Sequence, residues 1–302
     1  MSMTFRVTEN SANTLMVNDL EANLARLQNL QQQVATGKQI NQPSDNPGGT
    51  NQALGLRSQI GRTQQYAANI TDGQGWMGAA DGALTTVNQL LNQVQQIVLQ
   101  GANGSSDTNA RAALATQITT IKQSLLGQAN TTYQDRPLFA GTFGTIPYAN
   151  ATNQPPDYTY YGSSQAMSRQ VAPGEQVSVS IQGSQVFGSG ATSVFALLDK
   201  ISTDLSSSNV SALGTTDLSN VQAALNQATD AQGQVGARYA QLNTLSSQTA
   251  SKLQSLQTSL GGIEDADMAQ TVTSLTLQET AYQAALSTTA KVIQPSLADF
   301  LK

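Results

Sequence analysis

Few residues in this chain could do chemistry. Glu264, Asp265 and Asp267 form a dense acidic cluster, and paired carboxylates can bind a hard cation or act as an acid–base couple. Gly261-Gly262 stands just before them, so one helix is predicted to break there and another to begin. The same acids would then sit at a helix N-terminus, where the dipole favours them without any ligand. Gly73-Gln74-Gly75-Trp76-Met77-Gly78 spells GxGxxG, but a dinucleotide fingerprint needs a strand before it and a helix opening at it. Helical spacing flanks it on both sides, so Trp76 and Met77 read as packing residues. There is no histidine and no cysteine, which removes disulfides, ordinary zinc sites and Cys or His nucleophiles. No catalytic residue, cofactor or metal site is expected.

The wider composition agrees. The 302 residues carry only 14 basic and 19 acidic side chains, for a net charge of −5, and the basic ones are scattered singly. A nucleic-acid binder needs a basic footprint, so none is expected. No apolar run approaches the ~18 residues of a membrane span, so no membrane insertion is expected, and no basic start with an apolar run marks a cleaved signal peptide. Polarity comes instead from 58 Asn or Gln and 62 Ser or Thr residues.

The elements are mainly helical. From Val17, the spacing 3-4-3-4-3 collects Leu20, Leu24, Leu27, Gln31 and Val34, a heptad seam that stops at Gly37. The run Asn41 to Gly49 is dense in turn formers, and Ser44 or Asp45 could cap a helix with Pro47 in its first turn. A very long helix is predicted from Pro47, with Ala80, Leu84, Val87, Leu91, Val94 and Val98 on one face and Gly73, Gly75, Gly78 and Gly82 weakening its middle. Another helix starts near Thr108. Between residues 137 and 194 lie five of the eight prolines and only three charges, Asp157, Arg169 and Glu175. Alternation at Val177, Val179 and Ile181, after Pro173-Gly174, predicts a small β-rich insert. Helical spacing returns at Val194 and runs from Val221 to Leu260. A last helix carries Val272, Leu275, Glu279, Tyr282, Leu286, Thr289 and Ile293.

This order is symmetrical: a heptad arm at each end, long helices inside, and an insert between them. The expected organisation is an N-terminal arm over 1–45 pairing with a C-terminal arm over 262–302, a long-helix core over 46–136 and 192–261, and the insert over 137–191. Polar residues in the seams (Gln31, Glu279, Thr289) leave an isolated arm pair marginal, so neighbouring molecules are expected to complete it. The residues expected at such contacts are Val17, Leu20, Leu24, Leu27 and Val34 with Val272, Leu275, Tyr282, Leu286 and Ile293.

Several segments carry a family likeness. Arg6-Val7-Thr8 through Leu24, then Thr36-Gly37-Lys38-Gln39-Ile40-Asn41-Gln42-Pro43-Ser44-Asp45-Asn46-Pro47, resemble the bacterial flagellin superfamily. So do Tyr133-Gln134-Asp135-Arg136-Pro137-Leu138-Phe139-Ala140-Gly141-Thr142, Val235-Gly236-Ala237-Arg238, and the tail from Tyr282 to Leu301. Within the superfamily, the Pro-Ser-Asp-x-Pro variant is similar to the adaptors of the hook–filament junction. The resemblance covers roughly 1–142 and 192–302 and leaves the insert unmatched. It implies a flagellin-like fold of long antiparallel helices in coiled-coil layers, with discontinuous terminal arms and a solvent-facing insert. It implies a secreted structural component of the bacterial flagellum, exported unfolded by a type III route. The partners implied are flagellin, a neighbouring hook-associated protein, further copies of the chain in a ring, and an export chaperone. Two other roles fit the residues: a filament subunit, or an adhesin whose insert presents Tyr158, Tyr160 and Tyr161.

Overall fold

The computed structural model describes residues 9–103, 107–148 and 157–293, with side chains described between Thr14 and Ala290. The chain divides into two compact units, Met1–Arg62 with Leu253–Lys302, and Thr63–Lys252. Two long helices contribute to both units.

α1 (Glu9–Thr36) ends where Gly37 adopts φ +69° and its N–H bonds to Gln33 O, a left-handed helix cap. α2 (Pro47–Ala102) is one unbroken helix of 56 residues. Its N-cap is Asn46, whose Oδ1 accepts from Gly49 N at 2.9 Å, with Pro47 in the first helical position. The cap expected at Ser44 or Asp45 is therefore two residues or one residue off, and the Asp45 carboxylate is occupied by the Asn41 and Gln42 N–H groups. The glycines do not interrupt α2, since two of them are packing sites. A Cβ at Gly75 would overlap the Tyr133 hydroxyl, and one at Gly73 would press on Val179 and Leu242.

In the second unit, α3 (Thr108–Ala129) is capped by Asp107 and α5 (Val194–Ser206) by Ser193. α7 (Leu218–Glu264) follows the short helix α6 (Val210–Ala212) and a π-turn over Leu213–Asp217. The predicted face of α2 is the core here: Ala80, Leu84, Val87, Leu91, Val94 and Val98 are all buried. Val221, Leu225, Ala228, Val235 and Leu242 of α7 are buried as well, whereas Tyr239 on the same predicted row is exposed. Amide pairs run beside this core, Asn88 to Gln232 and Gln95 to Gln222, each at 2.8 Å.

The insert has less β-structure than its alternation suggests. Among the described residues, strands form only two antiparallel pairs: β1 (Thr132–Tyr133) with β2 (Arg136–Pro137), and β3 (Ser168–Ala172) with β4 (Glu175–Ser178). Rings hold the remainder. Tyr148 packs on Phe195 with centroids 5.1 Å apart, and Phe139 packs edge-on to Phe187 beside the short helix α4 (Gly183–Phe187). Tyr158 is buried and donates to Asp199, Tyr160 is half-buried and donates to Phe139 O, and Tyr161 is exposed.

The helix break expected at Gly261-Gly262 does not occur. α7 continues through both glycines to Glu264, and Asp265 N still bonds to Gly261 O at 2.8 Å. α8 (Met268–Ile293) then starts from Asp267, whose Oδ1 accepts from Ala269 N and Gln270 N. Of the three acids expected to cap this helix, only Asp267 does so.

Candidate assembly interface

In the first unit, α1 and α8 pack as an antiparallel pair. Asn23 bonds to Gln278, and Leu20 shares a groove with Ala285 and Thr288, so numbers rising along one helix fall along the other. The half-buried row on α1 is Met16, Leu20, Asn23, Leu27, Leu30 and Val34. On α8 it is Leu275, Gln278, Tyr282, Ala285 and Thr289, continued by the buried Thr271. Both rows keep 4-3 spacing.

The residues predicted from sequence divide between two sides of this pair. Leu20, Leu27 and Val34 belong to the α1 row, as Leu275 and Tyr282 do to the α8 row. Val17 and Leu24 do not, being 47% and 37% exposed, and neither do Val272 and Leu286, at 46% and 43%. Ile293 ends α8, but its side chain lies outside the described residues, as do Leu297 and Phe300.

The exposed residues lie roughly a quarter turn around each helix from its half-buried row, in the same rotational sense along the chain. Because the helices run in opposite directions, that shared sense brings both exposed rows to one side of the pair. Val17 and Leu24 therefore lie on the same side as Val272 and Leu286. The other side carries Asp19, Arg26, Asn29, Gln33 and Thr288, with Leu15 and Leu277 among them at 58% and 72% exposed.

The arm pair is anchored at one corner. Glu264 Oε2 accepts from Lys38 Nζ at 3.0 Å and from Arg57 Nη2 at 2.8 Å, and its side chain is only 5% exposed. Beside it, Gln39 N bonds to Glu264 O at 2.7 Å and Ala266 N to Gly37 O at 2.9 Å. Burial is the largest single influence on the Glu264 carboxyl and pushes its pKa up. The Arg57 and Lys38 partners outweigh it and leave the value below the ordinary one. Sequence reasoning did not find this cluster, because its members lie 226 and 207 residues apart. The only local signal was an acidic residue where a helix was expected to have ended.

Among the described residues no group of His, Cys, Asp and Glu is placed to hold a metal, and no helix is long and apolar enough to cross a membrane. The GxGxxG lies inside α2, with Trp76 buried edge-on to Tyr133 at 5.7 Å.

Residues 7–144 match the bacterial flagellin N-terminal helical region, and residues 218–301 match the bacterial flagellin C-terminal helical region. Flagellar hook-associated protein 3 of Salmonella typhimurium is 25% identical over 283 residues, covering 86% of this chain and 88% of that protein. The flagellin of Bacillus subtilis is 24% identical over 302 residues, covering 96% of each. Among solved structures, flagellar hook-associated protein 3 of Legionella pneumophila superposes with a TM-score of 0.63 at 15% identity, covering 69% of this chain and 98% of that one.

Proposed function

This chain belongs to the bacterial flagellin family, and on that premise we propose that it is a structural adaptor of the flagellum, seated between the hook-associated ring and the flagellin filament. The observation that carries the proposal is the match to hook-associated protein 3 across 86% of the chain and 88% of that protein. The arms supply the mechanism. The exposed apolar residues Val17, Leu24, Val272 and Leu286 dock on neighbouring subunits and are removed from water as they assemble. The partners in this reading are further copies of the chain in a ring, a neighbouring hook-associated protein below and flagellin above. A chaperone covers the C-terminal arm before export, and the chain leaves the cell unfolded through the flagellar type III apparatus.

A second reading, the filament subunit itself, is favoured by the end-to-end match to the Bacillus subtilis flagellin. Immunogold electron microscopy separates the two. Label confined to the hook end of each filament supports the adaptor; label along whole filaments sinks it. A deletion strain should carry bare hooks and shed flagellin into the medium, and normal filaments on that strain would exclude the adaptor role.

A further inference from the structure

Gly261 and Gly262 stand in the last turn of α7, and glycine is a weaker helix former than Ala. Glu264 closes that turn, and a carboxylate at a helix C-terminus meets the negative end of the dipole. Local sequence opposes this turn twice, yet the turn forms. What holds it comes from distant parts of the chain. Lys38, just past α1, and Arg57, in the early part of α2, both donate to Glu264 Oε2. Gln39 reinforces them, with its backbone N on Glu264 O and its side-chain Nε2 on Ile263 O at 2.7 Å. The segment beyond is tied by Ala266 N to Gly37 O, the carbonyl of the residue that ends α1.

We propose that residues 261–267 are a conditional turn: helical and docked while the Glu264 carboxylate holds Lys38 and Arg57, and melted into a hinge when it does not. The state of this turn decides whether the α1–α8 pair is fixed to the ends of α2 and α7 in its own unit. The two cations are 42% and 52% exposed while the carboxylate is buried, so dissolved salt and charged neighbours reach the donors directly. The arm is therefore held by a contact that ionic conditions can loosen, with little apolar burial behind it: Ala53 and Leu256 are the buried apolar side chains described in this unit. The device belongs to the single chain and does not depend on where in a flagellum that chain sits.

Hydrogen–deuterium exchange on the full chain tests it. In Glu264→Gln, amides of 261–267 should exchange at least tenfold faster than in the parent, those of α1 and α8 should follow, and those of α3 and α5 should not change. Raising sodium chloride from 50 mM to 1 M should speed the same amides in the parent and leave the variant unaffected. Gly262 has open space where a Cβ would go, so adding Gly262→Ala to Glu264→Gln strengthens the turn without restoring charge. The double variant should return toward parental rates over 261–264. Unchanged exchange in Glu264→Gln overturns the proposal. So does acceleration that extends equally into α3 and α5, or a double variant as fast as the single one.

Discussion

Gln278 of α8 places its Nε2 3.1 Å from Asn23 Oδ1 and 3.2 Å from Asn23 O on α1. This amide pair lies in the half-buried row between the two arms, where its neighbours are Leu20, Leu27, Leu275 and Tyr282. A polar pair among apolar heptad positions costs stability and in return specifies one register.

The first prediction concerns that register. Replacing the pair (Asn23→Leu with Gln278→Leu) should leave α1 and α8 paired but free to slip by one heptad. The chain has no cysteine, so cross-linking reports the register cleanly. Leu20→Cys with Ala285→Cys should cross-link in the parent background, since both line one groove. Leu27→Cys with Ala285→Cys should do so only after the double replacement. Equal yields from the two pairs in the parent background would contradict a fixed register.

Acid should loosen the first unit before the second. Glu264 is held below its ordinary range because its Arg57 and Lys38 partners outweigh the cost of burial, and Asp45 is lowered by the Gln42 and Asn41 backbone N–H groups. A lowered folded-state pKa means that the stabilisation is fully present above the unfolded value of about 4. It is lost as pH falls through the lower folded value. Limited proteolysis between pH 7 and pH 3 should therefore show α1 and α8 becoming cleavable toward the acid end while α2–α5 fragments persist. Simultaneous loss of both regions would argue against it.

Two glycines of α2 should respond with opposite sign to the same substitution. Gly82 has open space where a Cβ would go, so Gly82→Ala should stabilise by about 0.5–1 kcal/mol. At Gly75 a Cβ would overlap the Tyr133 hydroxyl, and displacing that ring disturbs its edge contact with buried Trp76. Overpacking of this kind costs about 1–3 kcal/mol, which outweighs the helix gain, so Gly75→Ala should destabilise. Thermal unfolding followed by circular dichroism decides both.

The exposed apolar residues of the arm pair predict a separation of stability from assembly. Leu24→Glu and Val272→Glu alter exposed positions and should change monomer melting little, within about 0.5 kcal/mol. Both should abolish co-assembly with flagellin or with further copies of the chain, measured by sedimentation. Leu27→Glu, in the half-buried row, should also loosen the arm pair in the monomer. Normal assembly by Leu24→Glu and Val272→Glu together would rule out this docking.

Much of this architecture was legible in the sequence. The α2 row from Ala80 to Val98 and the start of α3 at Thr108 follow from spacing and capping, which neighbours three or four residues away express directly. Two choices belonged to the tertiary structure, and one to local competition between neighbouring side chains. Heptad spacing placed Val17 with Leu20 and Val272 with Leu275, but only the paired arms divide them between a half-buried row and an exposed face, because which flank of a stripe is covered depends on where the partner helix lies. Asn46 took the α2 cap because the Asp45 carboxylate was already committed to the turn before it. Glycine propensity predicted a break at 261–262, yet the helix runs on to Glu264, whose carboxylate pairs with Lys38 and Arg57 from more than 200 residues away, beyond the reach of any local pattern.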